Sequence, residues 1–316
     1  MKFQADFLGC VCFAASIPQA ASLSRIELNR RVFITTAGGV ATLTSVPPVM
    51  AEERQDVKYL SLEVDGKYKT FPAEVLPRNY DKGLQLPIKD ITPEVFGAAP
   101  EYEEAWPYTA DDFKRIDETD DASFYDSPRL GYHIDPGAVA ALSHYYATTI
   151  KPGSDILDIC SSWVSHYPTN FPDIMGKIAG TGMNGLELQA NKQLTGGFVA
   201  SDLNKKPVLP FPDKSFDVVT CVVSVDYLIH PLAVFREVSR VLKPGGKFVI
   251  SQSNRLFYTK AIRRWLGLGD LDRLEFIGDY FHYSGSGFGT PRAFDISAKG
   301  NKYAKDPMYI VEATKS

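Results

Sequence analysis

Residues 134–316 predict an α/β fold in which a mostly parallel sheet is covered on both faces by helices. Three observations carry that expectation. From residue 134 onward, short apolar runs that fit strands alternate with segments of helical spacing, the order that gives parallel strands joined by crossover helices. Turn chemistry separates them, with Lys151-Pro152-Gly153 before the first strand and Lys243-Pro244-Gly245-Gly246 before the fifth. The 44% hydrophobic and 23% charged composition suits a globular chain with an adequate core.

In chain order, "DPGAVAALSHYYATTI" (135–150) reads as a helix, with Asp135 as N-cap and Pro136 in the first turn. "SDILDIC" (154–160) is the first strand and "GKIAGTGM" (176–183) the second, followed by the helix "NGLELQANKQL" (184–194). "GGFVASDL" (196–203) is the third strand and "SFDVVTCVVSV" (215–225) the fourth. "PLAVFREVSRVL" (231–242) is a helix and "GKFVISQS" (246–253) the fifth strand. "RLFYTKAIRRWLGL" (255–268) has the pattern of a basic amphipathic helix. "RLEFIGDYFHYS" (273–284) and "PMYIVEATK" (307–315) are strand candidates for an antiparallel hairpin, separated by the glycine-rich "GSGFGTPRAFD" (285–295).

Two segments precede this body. Residues 1–51 read as a bipartite targeting segment. A short apolar run follows Lys2, and a second stretch begins at Arg30-Arg31 and ends at a small-residue cleavage pattern, Val49-Met50-Ala51. Two tandem signals resemble plastid (chloroplast) leaders, the second resembles a transfer signal for the thylakoid lumen, and a mitochondrial presequence is the alternative. Residues 52–129 form an N-terminal extension, rich in Pro, Asp, Glu and Tyr, with a hairpin turning at Asp65-Gly66. Tyr102, Trp106 and Tyr108 are too aromatic for a linker, so this extension is expected to pack on the body as a lid.

Charge and cysteine content narrow the function. Beyond residue 51, 30 basic residues face 36 acidic ones, which argues against nucleic-acid binding. Cys10, Cys12, Cys160 and Cys221 show no metal-ligand spacing, so no metal is expected and the last two read as reduced core thiols.

"LPFPDKSFDVVTCVVSVDYLIHPLAVFREVSRVLKPGGKFVIS" (209–251) resembles the type 11 group of class I S-adenosylmethionine-dependent methyltransferases. A Pro-Phe-x-Asp-x-Ser-Phe-Asp turn enters the fourth strand, and a Leu-x-Pro-Gly-Gly turn enters the fifth. The resemblance covers residues 130–316. It implies a Rossmann-like class I methyltransferase fold, a mostly parallel seven-stranded sheet with a C-terminal antiparallel hairpin. It also implies S-adenosyl-L-methionine as cofactor and a small-molecule acceptor. Asp158 stands at the family's acid after strand one, and Asp202 at the residue that reads the adenine amine, with Leu203 beside it.

The sequence departs from the family twice. The loop after Asp158 carries Cys160, Ser161, Ser162, Trp163 and Val164 in place of glycines. The serine hydroxyls and the Trp163 ring are expected to take over the cradle, and Val164 would be strained at a positive φ. At the end of strand two, Gly182 stands where the family has the acid that grips the ribose, leaving Asn184 as a substitute. Glu187 reads as a solvated residue complementing a helix dipole. The resemblance also implies that residues after strand four, Ser224 and Tyr227 here, face the cleft.

The catalytic candidates are Arg129, Tyr132, His133 and Tyr227. His133 suits a base near neutral pH, and Arg129 suits an anionic substrate. Arg129, Tyr132 and His133 also read as anchors of the N-terminal extension. Lys260, Arg263 and Arg264 add an expected weak contact with a membrane surface. Fold alone leaves two functions open, methyl transfer or a non-catalytic binding or assembly module. A nicotinamide dehydrogenase lacks its Gly-x-Gly-x-x-Gly here.

Overall fold

The computed structural model describes residues 57–98 and 100–316. The expected leader in residues 1–51, with Cys10 and Cys12, lies outside them. The extension contributes β1 (Val57–Val64), β2 (Lys67–Glu74), β3 (Lys89–Asp90), α1 (Thr92–Phe96) and α2 (Asp121–Phe124). The body begins with α3 (Pro136–Thr149), β4 (Ile156–Ile159), α4 (Phe171–Ile174), β5 (Ile178–Gly182), α5 (Gly185–Ala190) and β6 (Phe198–Ala200). It continues with β7 (Phe216–Val222), α6 (Pro231–Val241), β8 (Leu242–Gln252), α7 (Arg263–Leu266), α8 (Asp270–Tyr283), β9 (Arg292–Asp295) and β10 (Tyr309–Thr314).

The main sheet runs β3-β9-β10-β8-β7-β4-β5-β6. Strands β8, β7, β4, β5 and β6 are parallel, and β10, β9 and β3 are antiparallel to their neighbours. Seven of the eight strands belong to the body, the expected number. The short β3 of the extension adds the eighth on the β9 edge. Strand β4 is buried at every residue, as a strand covered on both faces must be. From β4 the chain steps outward to β5 and β6, then returns to lay β7 on the other side of β4. That reversal opens a crevice at the carboxyl ends of β4 and β7.

Local rules explain most elements. The Asp135 carboxylate accepts from Ala138 N and caps α3, with Pro136 at its first turn. Asp65 and Gly66 both have positive φ in the two-residue turn between β1 and β2, the geometry hairpins prefer. Gly245, at φ 77°, turns the chain within the Lys-Pro-Gly-Gly segment, which extends β8 back to Leu242 through a register irregularity.

Two expectations are corrected. Residues 273–283 belong to α8 and are not a strand, so the hairpin partner of β10 is β9, drawn from the glycine-rich segment. Phe, Ile and Tyr suggested a strand, but Leu274, Ile277, Gly278 and Phe281 recur at i, i+3, i+4 and i+7, and they are buried. Period outweighed composition. Residues 255–268 form only the one-turn α7. Its cations turn to the extension: Lys260 is buried between Asp117 and Asp121, Arg263 pairs with Asp111, and Arg264 lies over Tyr108. The amphipathic helix behind the membrane-surface expectation is not formed.

The extension packs on the body. Tyr102 stacks on His282 at 3.7 Å, Trp106 meets Phe113 and Tyr280, and Tyr108 donates to Asp279 at 2.5 Å. Leu62 and Ala73 of the hairpin bury against Leu130, Trp163 and Ala190. No helix among the described residues is long and apolar enough to cross a membrane.

Candidate functional site

A cavity of about 340 Å³ occupies the crevice at the carboxyl ends of the parallel strands, roofed by residues 121–133 of the extension and its junction. This is the size range of small-molecule sites. Among the described non-glycine residues with positive φ, His133, Cys160, His166 and Val223 all line this cavity. A β-branched residue such as Val223 at φ 37° is an outlier, and backbone strain of this kind concentrates at functional sites.

The loop after β4 stands without glycine because its side chains bind one another. Cys160 takes the left-handed backbone at φ 53°, and Ser161 N extends the ladder to Thr181 O at 2.8 Å. Val164 has no positive φ, so the expected strain falls on Cys160 and His166 instead. Ser161 Oγ donates to Asp158 Oδ2 at 2.6 Å and Thr220 Oγ1 to Asp158 Oδ1 at 3.1 Å. Ser162 Oγ donates to Glu187 Oε2 at 2.7 Å. Burial pushes the Asp158 carboxyl up to about 6, against the pull of those hydroxyls. Both serines line the cavity, but their protons are committed inside the protein, which corrects the expectation that they replace the glycine backbone as donors. Trp163 does not line the cavity. Its Nε1 donates to Gly131 O at 2.8 Å, and its ring packs in the cluster beneath the hairpin.

The end of β5 explains the missing ribose acid. A Cβ on Gly182 would lie 2.0 Å from Ser161 O, so no side chain fits where the loop crosses the strand. Asn184 does not line the cavity either. Its Oδ1 caps α5 by accepting from Leu186 N and Glu187 N, and its Nδ2 donates to Tyr125 O and Asp126 O. Glu187 is the carboxylate that lines the cavity here, and it is buried, not solvated. It accepts from Arg129 N at 2.7 Å as well as from Ser162. Burial raises its carboxyl above the ordinary range. Glu187 therefore ties loop, helix start and roof together.

After β6, Asp202 and Leu203 both line the cavity. Asp202 Oδ1 accepts from Asn204 N and Lys205 N, while Oδ2 is buried without a hydrogen-bond partner. Such an orphaned acceptor is costly unless a ligand donor reaches it. Asn204, which the sequence did not mark, joins this corner to the roof: its Nδ2 donates to Asp121 Oδ2 and Tyr227 O. Asp121 is also held by Arg115 at 2.7 Å and Lys260 at 3.2 Å.

The four catalytic candidates all line the cavity. Arg129 lies over Phe124 at 4.3 Å, His133 meets Phe257 edge-on at 5.5 Å, and Tyr227 Oη accepts from Phe257 N at 2.7 Å. Tyr132 N donates to Glu74 Oε2, so Tyr132 is also an anchor of the extension. Ser224 lines the cavity with its Oγ donating to Val222 O. His166 is buried with Nδ1 unpartnered, and desolvation lowers it to about 3, so its imidazole is neutral. Among the described residues, no cluster of His, Cys, Asp or Glu is placed to hold a metal ion.

Four carboxyl groups, from Asp121, Asp158, Glu187 and Asp202, line the cavity with Arg129 and Arg255; Asp121 is already paired with Arg115 and Lys260, and Arg255 with Asp306. Asp202 Oδ2 fits a ligand amine at the β6 end, and the rings of Tyr227 and Phe257 leave an apolar bay at the β7–β8 end.

Residues 178–250, spanning β5 to nearly the end of β8, match a family model described as a methyltransferase domain. The ubiquinone/menaquinone biosynthesis C-methyltransferase UbiE of Ectopseudomonas mendocina (strain ymp) is 30% identical over 117 residues, 34% of this chain and 44% of that protein. The sterol 4-C-methyltransferase strm-1 of Caenorhabditis elegans is 44% identical over 52 residues, 16% of this chain and 15% of that one. The chain thus spans less than half the length of these curated relatives. A crystal structure of a SAM-dependent methyltransferase from Aquifex aeolicus matches at 16% identity, covering 62% of this chain and 97% of that one with a TM-score of 0.40. The matched block is the centre of the wound sheet: residues 178–250 are similar to a methyltransferase domain and carry β5 to β8, beside the crevice that the strand order opens.

Proposed function

We propose that this chain binds S-adenosylmethionine in the crevice and transfers its methyl group to a small-molecule acceptor. The observation that carries the reading is Asp202 Oδ2, a buried acceptor left open at the β6 end of a cavity rich in carboxylates. Asp202 would accept from the adenine amine, Leu203 would cover the ring, and Glu187 is the carboxylate nearest the task that Gly182 cannot perform. The bound sulfonium supplies an activated methyl and a good leaving group. The protein then contributes alignment and water exclusion, with no obligatory triad. Tyr227, His133 and Phe257 shape the acceptor bay, and His133 is placed to take a proton from an acceptor that must lose one.

The second reading, a non-catalytic binding or assembly module, draws its support from the loop after β4. Its hydroxyls are committed, and Glu187 already accepts two hydrogen bonds. Titration calorimetry with S-adenosylmethionine and S-adenosylhomocysteine separates the two readings. Saturable binding of both supports the enzyme, and no heat of binding at about 1 mM ligand removes it. Targeting to the plastid, with the mitochondrion as alternative, remains part of the proposal, supported by the composition of residues 1–51.

A further inference from the structure

Two guanidinium groups line the crevice, and they differ in partners. Arg255 Nε donates to both oxygens of Asp306 at 2.9 Å. Arg129 makes no ion pair within 4.0 Å among the described residues, and its Nη1 is buried without a hydrogen-bond partner. Rings surround it instead: the guanidinium carbon lies 4.3 Å from the centre of Phe124, 5.5 Å from Phe257 and 5.8 Å from Tyr125. Stacking on rings holds a guanidinium but does not satisfy its N–H donors, so the buried Nη1 is left for an acceptor that the protein does not supply. The arm carrying it is held in place, because Arg129 N donates to Glu187 and Asn184 Nδ2 clasps Tyr125 O and Asp126 O.

We propose that Arg129 is the seat of a carboxylate on a flat, apolar acceptor lying against Phe257 and Tyr227. The assignment rests on the crevice being a cofactor site. A ligand that engages Asp202 after β6 and the loop after β4 leaves the β7–β8 end free. There Phe257 is in reach of the Arg129 head, and the Tyr227 and Phe257 rings lie 5.8 Å apart at 31°. Those walls take an aromatic or unsaturated body. A phosphate is disfavoured, since Asp158, Glu187 and Asp202 line the cavity with no lysine, Arg255 is taken by Asp306, and Arg129 by itself does not offset a dianion among them.

The test uses 2-naphthoate and its neutral counterpart 2-naphthamide as probes. Each is titrated into the full chain with and without saturating S-adenosylhomocysteine, in wild type, Arg129→Gln and Arg129→Lys. Naphthoate should bind roughly tenfold or more tightly than naphthamide. Arg129→Gln should abolish that preference and Arg129→Lys should keep part of it. If the glutamine variant does not fold by thermal melting, the wild-type ratio and the lysine variant decide. Equal binding of the two probes by wild type, or a preference that survives in Arg129→Gln, overturns the proposal. So does a loss of S-adenosylhomocysteine affinity in Arg129→Gln with the naphthoate preference intact, because the guanidinium would then serve the cofactor's own carboxylate. An Arg129-dependent naphthoate preference in a chain that binds no S-adenosylhomocysteine keeps the anion seat and removes the cofactor reading.

Discussion

The turns after β4 and after β6 open onto the same cavity but spend their polar groups in opposite ways. After β4, the Ser161 and Ser162 hydroxyls donate inward to Asp158 and Glu187. After β6, Asp202 uses Oδ1 to shape its own turn and leaves Oδ2 buried and unbonded. The first turn holds itself together by side-chain bonds where glycines would have allowed bare backbone to do so. The second leaves an acceptor that nothing in the protein satisfies. The lesson is that a diverged motif is judged by where its donors and acceptors point, more than by which residues it has lost.

Breaking the β4 turn should have the largest effect on folding. Asp158→Ala leaves two buried hydroxyls without their acceptor, which costs about 2 to 4 kcal/mol and lowers Tm by roughly 5 to 10 °C. Differential scanning calorimetry checks this. A variant melting with wild type would mean that the loop is not held by its carboxylate.

Asp202→Asn sharpens the other side. The amide oxygen keeps the turn bonds while the amine replaces the open acceptor, so Tm should hold. The Kd for S-adenosylmethionine should weaken roughly 10- to 100-fold, the scale of one charge-assisted hydrogen bond. A large loss of Tm without loss of affinity would reverse the contrast between the two turns.

A third effect is on pH. The folded-state pKa of Asp158, about 6, lies above the ordinary value of 3.8 because burial disfavours its charge. Between those values the folded chain keeps a proton that the unfolded chain has lost, so the contribution of this carboxyl to stability is greatest below pH 3.8 and declines as pH rises towards 6. Asp158→Asn should flatten that decline, as urea melts between pH 4 and 7 would register. An unchanged slope would place its cause elsewhere.

The sites most legible in the sequence were those set by short-range chemistry. The caps, the two-residue hairpin turn, the Lys-Pro-Gly-Gly segment and the parallel strands all follow from spacing over a few residues, whereas Asp202 was singled out only through the family resemblance. Arg129, Tyr132, His133 and Tyr227 do meet in one cavity, though 94 residues separate His133 from Tyr227. Trp163 and Asn184 were misplaced because each has two plausible roles, and only the packing around it selects one. Trp163 found the hairpin cluster, and Asn184 found the start of α5 and the roof. Glu187 was misread as solvated because a helix-start acid usually is, until the extension lays the Arg129 amide over it. Asn204 carried no signal at all, since its partners Asp121 and Tyr227 lie 83 and 23 residues away.

By itself, the sequence determined the periodicities, turns and caps that commit residues 134–316 to a wound parallel sheet, because these depend on interactions along the chain. It also supplied the carboxylates at the strand ends. Tertiary structure alone decided which of them stay open. Burial and hydrogen bonding are settled by neighbours distant in sequence: the crossing of Ser161 over Gly182 excludes a ribose acid there, and the extension's roof closes on Glu187 while leaving the Arg129 head and Asp202 Oδ2 free.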